Sequence, residues 1–213
     1  MLPWSLSQHG LYKKCPSAYN FRVVQRIPDP SGPAAARGTE IHGQLEAYLQ
    51  TGEWHGNIRS FTRQKAEGMR GSSFQPELKL ALDKDWKVVD WKSPDAWVRC
   101  VIDAFLCADD RIKMGEWKTG KQYEDHATQR RLYLCLTMSA FPQAISAEIE
   151  TIYADLDYAV PDVLLREQVP EEQRRWQDIV TPMLNDTFFS PRPGQHCRWC
   201  NYSRLKGGPC LVA

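Results

Sequence analysis

Several features are missing from this sequence, and each absence narrows the class of protein. The longest apolar run, LYLCLTMSAF at residues 132–141, is too short to span a bilayer, so we expect no membrane association. The first ten residues, MLPWSLSQHG, lack the basic start and the apolar stretch of a secretory signal. We therefore expect a cytoplasmic protein. The chain also has no internal repeat and no low-complexity tract.

A charge imbalance is missing as well. The 27 Lys and Arg residues nearly cancel the 26 Asp and Glu residues, which gives a formal net charge of +1 and no global argument for a nucleic-acid partner. A neutral chain can still carry a basic groove. The eight Trp and eight Tyr residues could stack on bases, although core packing explains most aromatic residues. With 213 residues, 42% of them hydrophobic, the chain can bury a sizeable core.

Seven cysteines form an odd set in a chain with no export signal, so disulfides are disfavoured. Cys197 and Cys200 place two thiolates on one turn, and Cys210 and Cys15 supply two more. Four thiolates suit a [4Fe–4S] cluster and equally a structural Zn²⁺ site, in which His196 could replace one thiolate. The remaining cysteines lie on apolar stretches and are expected in the core: Cys100, Cys107 and Cys135.

The order of periodic segments predicts an α/β fold with a single mixed sheet flanked by helices. Expected helices are a short one ending near Cys15, one at 34–50, one at 125–140 with Asp125 as N-cap, and one at 170–185. Expected strands are PELKLALD, DWKVVDW, AWVRCVIDAFLCA, RIKMGEWKT and AEIETIYADL, whereas residues 52–75 are expected to form a loop or short helices.

The segment VRCVIDAFLCADDRIKMGEWKT predicts a hairpin with a two-residue loop at 109–110. In that register Asp103 lies directly opposite Glu116. Alternation along the strand puts Lys118 on the same face as Glu116 and sends Trp117 to the other face.

Two carboxylates that face each other repel, and moving each of them out of water costs free energy. A divalent cation between Asp103 and Glu116 removes both costs, and oxygen ligands suit Mg²⁺ or Mn²⁺. An amine such as Lys118 can orient a water molecule or stabilise developing charge, as metal-assisted phosphodiester cleavage requires. The alternative is that these charges lie on the solvated face of an edge strand and have no chemical role.

Four further motifs accompany these residues, namely GTEIH at 38–42, VIDAF at 101–105, QRRLY at 129–133 and the paired patterns CPSAY and CRWC…C. Together they resemble the RecB-type exonuclease family of PD-(D/E)XK nucleases, in its iron–sulfur-bearing branch. That branch includes CRISPR-adaptation and AddB-type nucleases. Cys100 stands where the family usually has glycine.

The resemblance implies a restriction-endonuclease-like fold and a role for each motif residue. The implied metal ligands are His42, Asp103, Glu116 and the backbone carbonyl of Trp117. The implied catalytic residues are Asp103, Glu116, Lys118, which serves the attacking water, and Gln129 and Tyr133, which support the lysine and the substrate. Glu77 resembles an acidic position on the preceding strand that can assist a metal.

The same resemblance favours a [4Fe–4S] cluster over Zn²⁺ at Cys15, Cys197, Cys200 and Cys210. Such a site would join the N- and C-terminal segments. We therefore expect residues 1–213 to form a single nuclease domain, with a cysteine-rich tail at 186–213 packed against the N-terminal helix at 5–20.

The implied function is that of a Mg²⁺- or Mn²⁺-dependent DNA exonuclease that prefers single strands or free ends. It would act in recombination, repair or CRISPR adaptation, together with protein partners of those processes. Its cell would be bacterial, archaeal or phage-infected. The alternative is a non-catalytic iron–sulfur or zinc DNA-binding module on a nuclease fold. Basic residues expected at phosphates are Lys121, Arg130, Arg131, Arg192, Arg198, Arg204 and Lys206.

Overall fold

A computed structural model describes residues 2–30 and 32–212. The chain divides into two compact units. Unit 1 comprises Met1–Pro3 and Pro33–Arg174, and unit 2 comprises Trp4–Gly32 and Arg175–Ala213. Unit 2 is therefore assembled from segments that lie on either side of unit 1 in the sequence.

The described residues form six α-helices and five strands, together with short 3-10 helices at Arg166–Gln168, Gln195–Trp199 and Arg204–Lys206. The helices are α1 (Leu6–Lys14), α2 (Pro16–Tyr19, continued by a π-helical turn at Asn20–Val24), α3 (Pro33–Thr51), α4 (Ser60–Gly71), α5 (Asp125–Ala140) and α6 (Val169–Asn185). The strands are β1 (Gln75–Leu82), β2 (Val98–Ala108), β3 (Arg111–Lys118), β4 (Ser146–Tyr153) and β5 (Tyr158–Leu165). None of the helices in these described ranges is both long enough and apolar enough to cross a bilayer.

The five strands form one mixed sheet in the order β1-β2-β3-β4-β5. All neighbouring pairs are antiparallel except β3 and β4, which are parallel and are connected through α5. The predicted hairpin is confirmed, because Ala108 pairs with Arg111 and Ala104 with Gly115. Asp109 adopts a positive φ of 53°, a conformation that aspartate tolerates better than most residues.

The two faces of the sheet are covered by different helices. Trp117, Ala104 and Ile152 face the apolar stripes of α3 and α4, which include Leu45 and Met69, in one buried cluster. The face that carries Glu116 lies against α5, whose side chains are buried along most of its length. This arrangement confirms the predicted α/β class with a mixed sheet flanked by helices.

Several boundaries differ from the sequence prediction. The predicted strand DWKVVDW is wrong: it forms turns with one bridge between Leu82 and Val88, because the Asp83 carboxylate accepts two backbone N–H groups there and holds the chain in a loop. Residues 60–71 form the full helix α4. Strand β5 was not predicted, and the expected N-cap Asp125 is instead the first residue of α5.

In unit 2 the N-terminal segment contacts the C-terminal segment directly. The Tyr12 hydroxyl donates to Asp186 at 2.9 Å, and the Tyr202 hydroxyl donates to the carbonyl of Ile27 at 3.2 Å. Trp4 is fully buried and stacks on Trp176, with ring centroids 6.1 Å apart. These contacts give unit 2 a small core of its own.

Candidate active site and cysteine cavity

The hairpin brings the two acidic residues of the motif to neighbouring positions on β2 and β3. Asp103 uses both carboxylate oxygens: Oδ1 lies 3.1 Å from Nδ1 of His42, and Oδ2 accepts the backbone N–H of Trp117 at 2.8 Å. His42 reaches this point from α3, so the GTEIH helix and the hairpin meet at one place in unit 1.

Glu116 is 4% exposed, and its carboxylate is the centre of a second set of contacts. Its Oε1 accepts from Nζ of Lys118 at 2.7 Å and from Nε2 of Gln129 at 2.8 Å. Gln129 Nε2 also lies 2.9 Å from the hydroxyl oxygen of Tyr133, one turn further along α5. Glu116 Oε2 is buried and has no hydrogen-bond partner.

The electrostatics of the site follow from this crowding. Burial raises the pKa of Glu116 to about 7 and the charge of Asp103 adds to the rise, while Lys118 and His42 oppose it. Burial alone would lower the pKa of His42, but the hydrogen bond and charge of Asp103, with the charge of Glu116, raise it overall. Burial and the charge of Glu116 raise the pKa of Tyr133 well above its usual range.

The donor set suits a hard divalent cation, although the side chains currently pair with one another. A buried carboxylate oxygen without a partner, beside a second carboxylate, is a costly arrangement unless a cation or proton compensates it. Among residues 2–30 and 32–212, no three His, Cys, Asp or Glu side chains converge closely enough to form a ready-made metal site. In this structure Lys118 and His42 supply the compensating hydrogen bonds.

Trp117 holds β3 in place through both its side chain and its backbone. Its indole is 1% exposed in the cluster beneath α3 and α4, and its backbone N–H is taken by Asp103. The residue thus anchors β3 on one face of the sheet, while the side chains of its neighbours Glu116 and Lys118 lie on the other face.

Two side chains near Lys118 were missed by the sequence reasoning. His126 lies in the first turn of α5, and its Nδ1 is 2.9 Å from the hydroxyl oxygen of Tyr153. Burial lowers the pKa of His126, and the charges of Lys118 and Arg130 lower it further. The available signal was its spacing, because His126 precedes Gln129 by three residues and so shares a helical face with it.

Asp155 forms a clamp, here meaning a set of hydrogen bonds to residues far away in the sequence, and the sequence did not predict it. Asp155, just after β4, accepts two hydrogen bonds from Arg37 on α3 at 2.8 and 2.5 Å, and accepts the backbone N–H of Gly120 at 2.6 Å. Gly120 follows the strand that carries Glu116 and Lys118. The clamp therefore joins the helix that bears His42 to the end of that strand.

Glu77 lies in β1 in an unusual conformation. The β1–β2 ladder pairs Pro76 with Ala104 and Leu78 with Ile102, so Glu77 is at the position across from Asp103. Its φ is 52°, in the left-handed region, and its half-exposed side chain lies 3.7 Å from Nζ of Lys79. The structure gives Glu77 no contact with the acidic pair.

Two arginines expected at phosphates are engaged inside unit 1. Arg130 is 7% exposed, and Arg131 donates to Glu172 at 2.6 Å and to Asp162 at 3.4 Å. Nε of Arg130 lies 3.9 Å from Asp162, so both guanidinium groups face carboxylates within unit 1, and their contact with phosphate stays a prediction. Lys121 remains exposed.

The four predicted cysteine ligands line one cavity of about 20 Å³ in unit 2. All four are free thiols, and two accept backbone N–H groups: Cys15 from Arg192 at 3.5 Å and Cys197 from Gly194 at 3.4 Å. His196 also lines the cavity, and its Nε2 is buried without a partner. Soft sulfur ligands and an imidazole suit iron or zinc, yet the described residues hold no group tight enough to count as an assembled metal site.

The other cysteines lie outside that cavity. Cys100 and Cys135 are buried, as expected, and burial raises the pKa of both thiols, that of Cys135 to about 12. Cys107 is only half-buried, so its assignment to the core is wrong.

Comparisons with known proteins bear on the fold and the family. The family model described as the PD-(D/E)XK nuclease superfamily matches residues 78–205. Among solved structures, one described as "Crystal structure of SSO0001" is 14% identical, with a TM-score of 0.50, over 99% of this chain and 88% of that chain. A likeness at that identity supports the fold alone. No curated protein matches the chain.

Proposed function

The chain belongs to the PD-(D/E)XK nuclease superfamily, and on that premise we propose that it is a divalent-metal-dependent deoxyribonuclease of the RecB type. The proposed activity is exonucleolytic, on single-stranded DNA or DNA with free ends, in recombination, repair or CRISPR adaptation. The observation that carries the proposal is Glu116, a buried carboxylate that faces Asp103 and shares one oxygen with Lys118 while its other oxygen has no partner.

Mg²⁺ or Mn²⁺ would be held by Asp103, Glu116 and His42, with the Trp117 carbonyl as a further ligand, and when bound would polarise the scissile phosphate and acidify a water molecule. The ion would replace the contacts that His42 and Lys118 now make with the carboxylates.

The protein side chains then have separate tasks. Lys118, once released from Glu116, has an ammonium group that can orient the attacking water and stabilise charge on the phosphate oxygens. Gln129 keeps Glu116 in one orientation through the bond to Oε1, and Tyr133 fixes Gln129 in turn. Trp117 restrains Asp103 through its backbone N–H.

For the cysteine cavity we propose a [4Fe–4S] cluster held by Cys15, Cys197, Cys200 and Cys210, with structural Zn²⁺ as the alternative. Support comes from four free thiols on one cavity and from the backbone N–H groups that point at two of the sulfur atoms. Such hydrogen bonds stabilise thiolates and tune iron–sulfur clusters.

The test uses end-labelled single-stranded DNA with Mn²⁺ and compares the wild type with Glu116→Ala. Glu148→Ala is the matched control, because Glu148 is an exposed carboxylate on β4. The expected result is that the wild type and the control shorten linear DNA, while circular single strands and Glu116→Ala samples stay intact. Cleavage by none of the proteins would favour the non-catalytic binding module, and equal cleavage by all would point to a contaminant.

A further inference from the structure

The formal charge of the chain is divided very unevenly between its two units. Unit 2 contains nine Lys and Arg residues and only three Asp residues, which gives a net charge of +6. Since the whole chain carries +1, unit 1 carries −5. The near-neutral composition therefore conceals one strongly basic unit, and a basic unit favours a polyanionic ligand.

Within unit 2, the turn between Cys197 and Cys200 presents two side chains outward. Both cysteines line the inner cavity, and the residues between them, Arg198 and Trp199, are exposed. Trp199 is 71% exposed. Exposing that much of the apolar surface of an indole to water is unfavourable, and a flat ligand that covers the ring lowers the free energy.

Trp199 also borders a second cavity, of about 120 Å³, which adjoins the first and shares Cys15 and Cys200 with it. Its wall includes Leu11 and the exposed Lys14 from the N-terminal segment, and Asn201 from the tail. Asn201 is held in place by a 2.7 Å hydrogen bond from its Nδ2 to Asp29. The cavity thus combines an aromatic wall, an aliphatic wall and a cation at its rim, while the charge of its one carboxylate, Asp29, is offset by Arg22.

We propose that this cavity receives an unpaired base of single-stranded DNA, which stacks on Trp199 while Lys14 and Arg198 contact the adjoining phosphates. Base stacking on an exposed aromatic ring beside cations is how proteins hold single strands without reading their sequence. A duplex keeps its bases stacked inside and cannot offer one to the cavity. A protein partner is the less suitable occupant of this cavity, because a docking patch would be broad and apolar, whereas Trp199 is the one exposed large apolar side chain among the lining residues.

The inference rests on the proposed function in one respect, which is that the ligand is DNA. Its test therefore measures binding and not cleavage. All proteins carry Glu116→Gln and are assayed with a chelator, so that no strand is cut during the measurement. Fluorescence anisotropy compares a labelled thymidine oligonucleotide with a blunt duplex of the same length.

The expected result is a loss of single-strand affinity of about 5- to 150-fold for Trp199→Ala, with most of the affinity retained by Trp199→Phe. Lys14→Ala should weaken binding and reduce the slope of log affinity against log salt by about one. Leu205→Ala is the matched control, because Leu205 is 90% exposed in the same tail and does not line the cavity. It should bind like its parent.

The inference is overturned if Trp199→Ala binds as tightly as the parent, if it loses duplex and single-strand affinity equally, or if the parent binds neither DNA. In the first two cases the proposed nuclease function stands wherever Glu116→Ala abolishes cleavage. Circular dichroism spectra of each variant show whether a lost affinity reflects lost structure, and Trp199→Phe separates loss of the ring from loss of the fold.

Discussion

Gln129 donates to Oε1 of Glu116 over 2.8 Å, so a residue expected to support Lys118 holds the carboxylate instead. We predict that Gln129→Ala raises the Mn²⁺ concentration needed for half-maximal cleavage by about 10- to 100-fold, the usual cost of removing a partner that orients a metal ligand. Titration of Mn²⁺ in the cleavage assay measures it. Gln173→Ala is the control, because that amide binds Ser139 away from the acidic pair. An unchanged Mn²⁺ requirement would contradict the positioning role.

Glu116 should destabilise the metal-free protein. At pH 8 its carboxylate, with a pKa of about 7, is mostly ionised while buried beside Asp103. We therefore predict that Glu116→Gln raises the melting temperature in chelator at pH 8, and that added Mn²⁺ raises it for the wild type only. Glu150→Gln, which breaks a half-exposed pair with Lys65, is the control and should show no gain. A lower melting temperature for Glu116→Gln would refute this account.

The clamp formed by Asp155 predicts a pH-dependent loss of stability. The hydrogen bond from Arg37 lowers the pKa of Asp155 against the opposing effect of burial, and the N–H of Gly120 adds to the lowering. Because the folded-state pKa lies below the unfolded value of about 3.9, this stabilisation is present above pH 4 and is lost as the pH falls through the folded-state pKa.

Asp155→Asn should accordingly lower the free energy of unfolding at pH 7 and leave it nearly unchanged at pH 2. Urea unfolding at both pH values measures the difference. Asp110→Asn, at an exposed hairpin position, serves as the control. Equal losses for Asp155→Asn at both pH values would show that the ionised carboxylate is not the stabilising group.

Glu77 allows a test that separates backbone from side chain. Its φ of 52° costs a residue with a Cβ atom about 1–2 kcal/mol, so Glu77→Gly should be more stable than Glu77→Ala by about 1 kcal/mol in urea unfolding. Because the side chain contacts Lys79 and not the acidic pair, we expect both variants to retain cleavage. If both lose cleavage, the carboxylate assists the metal.

The cysteine cavity predicts coupled loss of metal and stability. Cys197→Ser should lack the iron, or the zinc, that anaerobically purified wild type carries, and should melt at a lower temperature. A link between Cys15 and Cys210 closes most of the chain, which in the chain-entropy account stabilises on the order of 5 kcal/mol. Metal analysis and visible absorbance measure the content. Cys107→Ser, in unit 1, is the control, and metal content unchanged in Cys197→Ser would rule out the cavity as the site.

The parts of the site that follow from short sequence separation could be predicted. A two-residue loop fixes the hairpin register, and that register puts Asp103 beside Glu116. The contact between Gln129 and Tyr133 follows from helical spacing. The α/β class followed in the same way from alternating and helical periods along the chain.

The other features of the fold and the site depend on contacts between distant residues, which the periodicity of a short segment does not predict. Arg37 and Asp155 are 118 positions apart, so neither residue carries a sign of the other. Strand β5 was not predicted; its pairing with β4 leaves Pro161 on an edge strand, where a missing N–H is tolerated. The basic character of unit 2 was hidden because the total charge averages over two units of opposite sign.

The divided sequence of unit 2 has a consequence for how the protein is made. Trp4–Gly32 leaves the ribosome first, but its packing partners in Arg175–Ala213 follow only after the 142 residues Pro33–Arg174. At roughly 5–20 residues per second, translation of that stretch takes about 7–30 s. Trp4 is fully buried in the folded protein, but throughout that interval its stacking partner Trp176 has not yet been made. The nascent chain therefore exposes an indole that chaperones can bind.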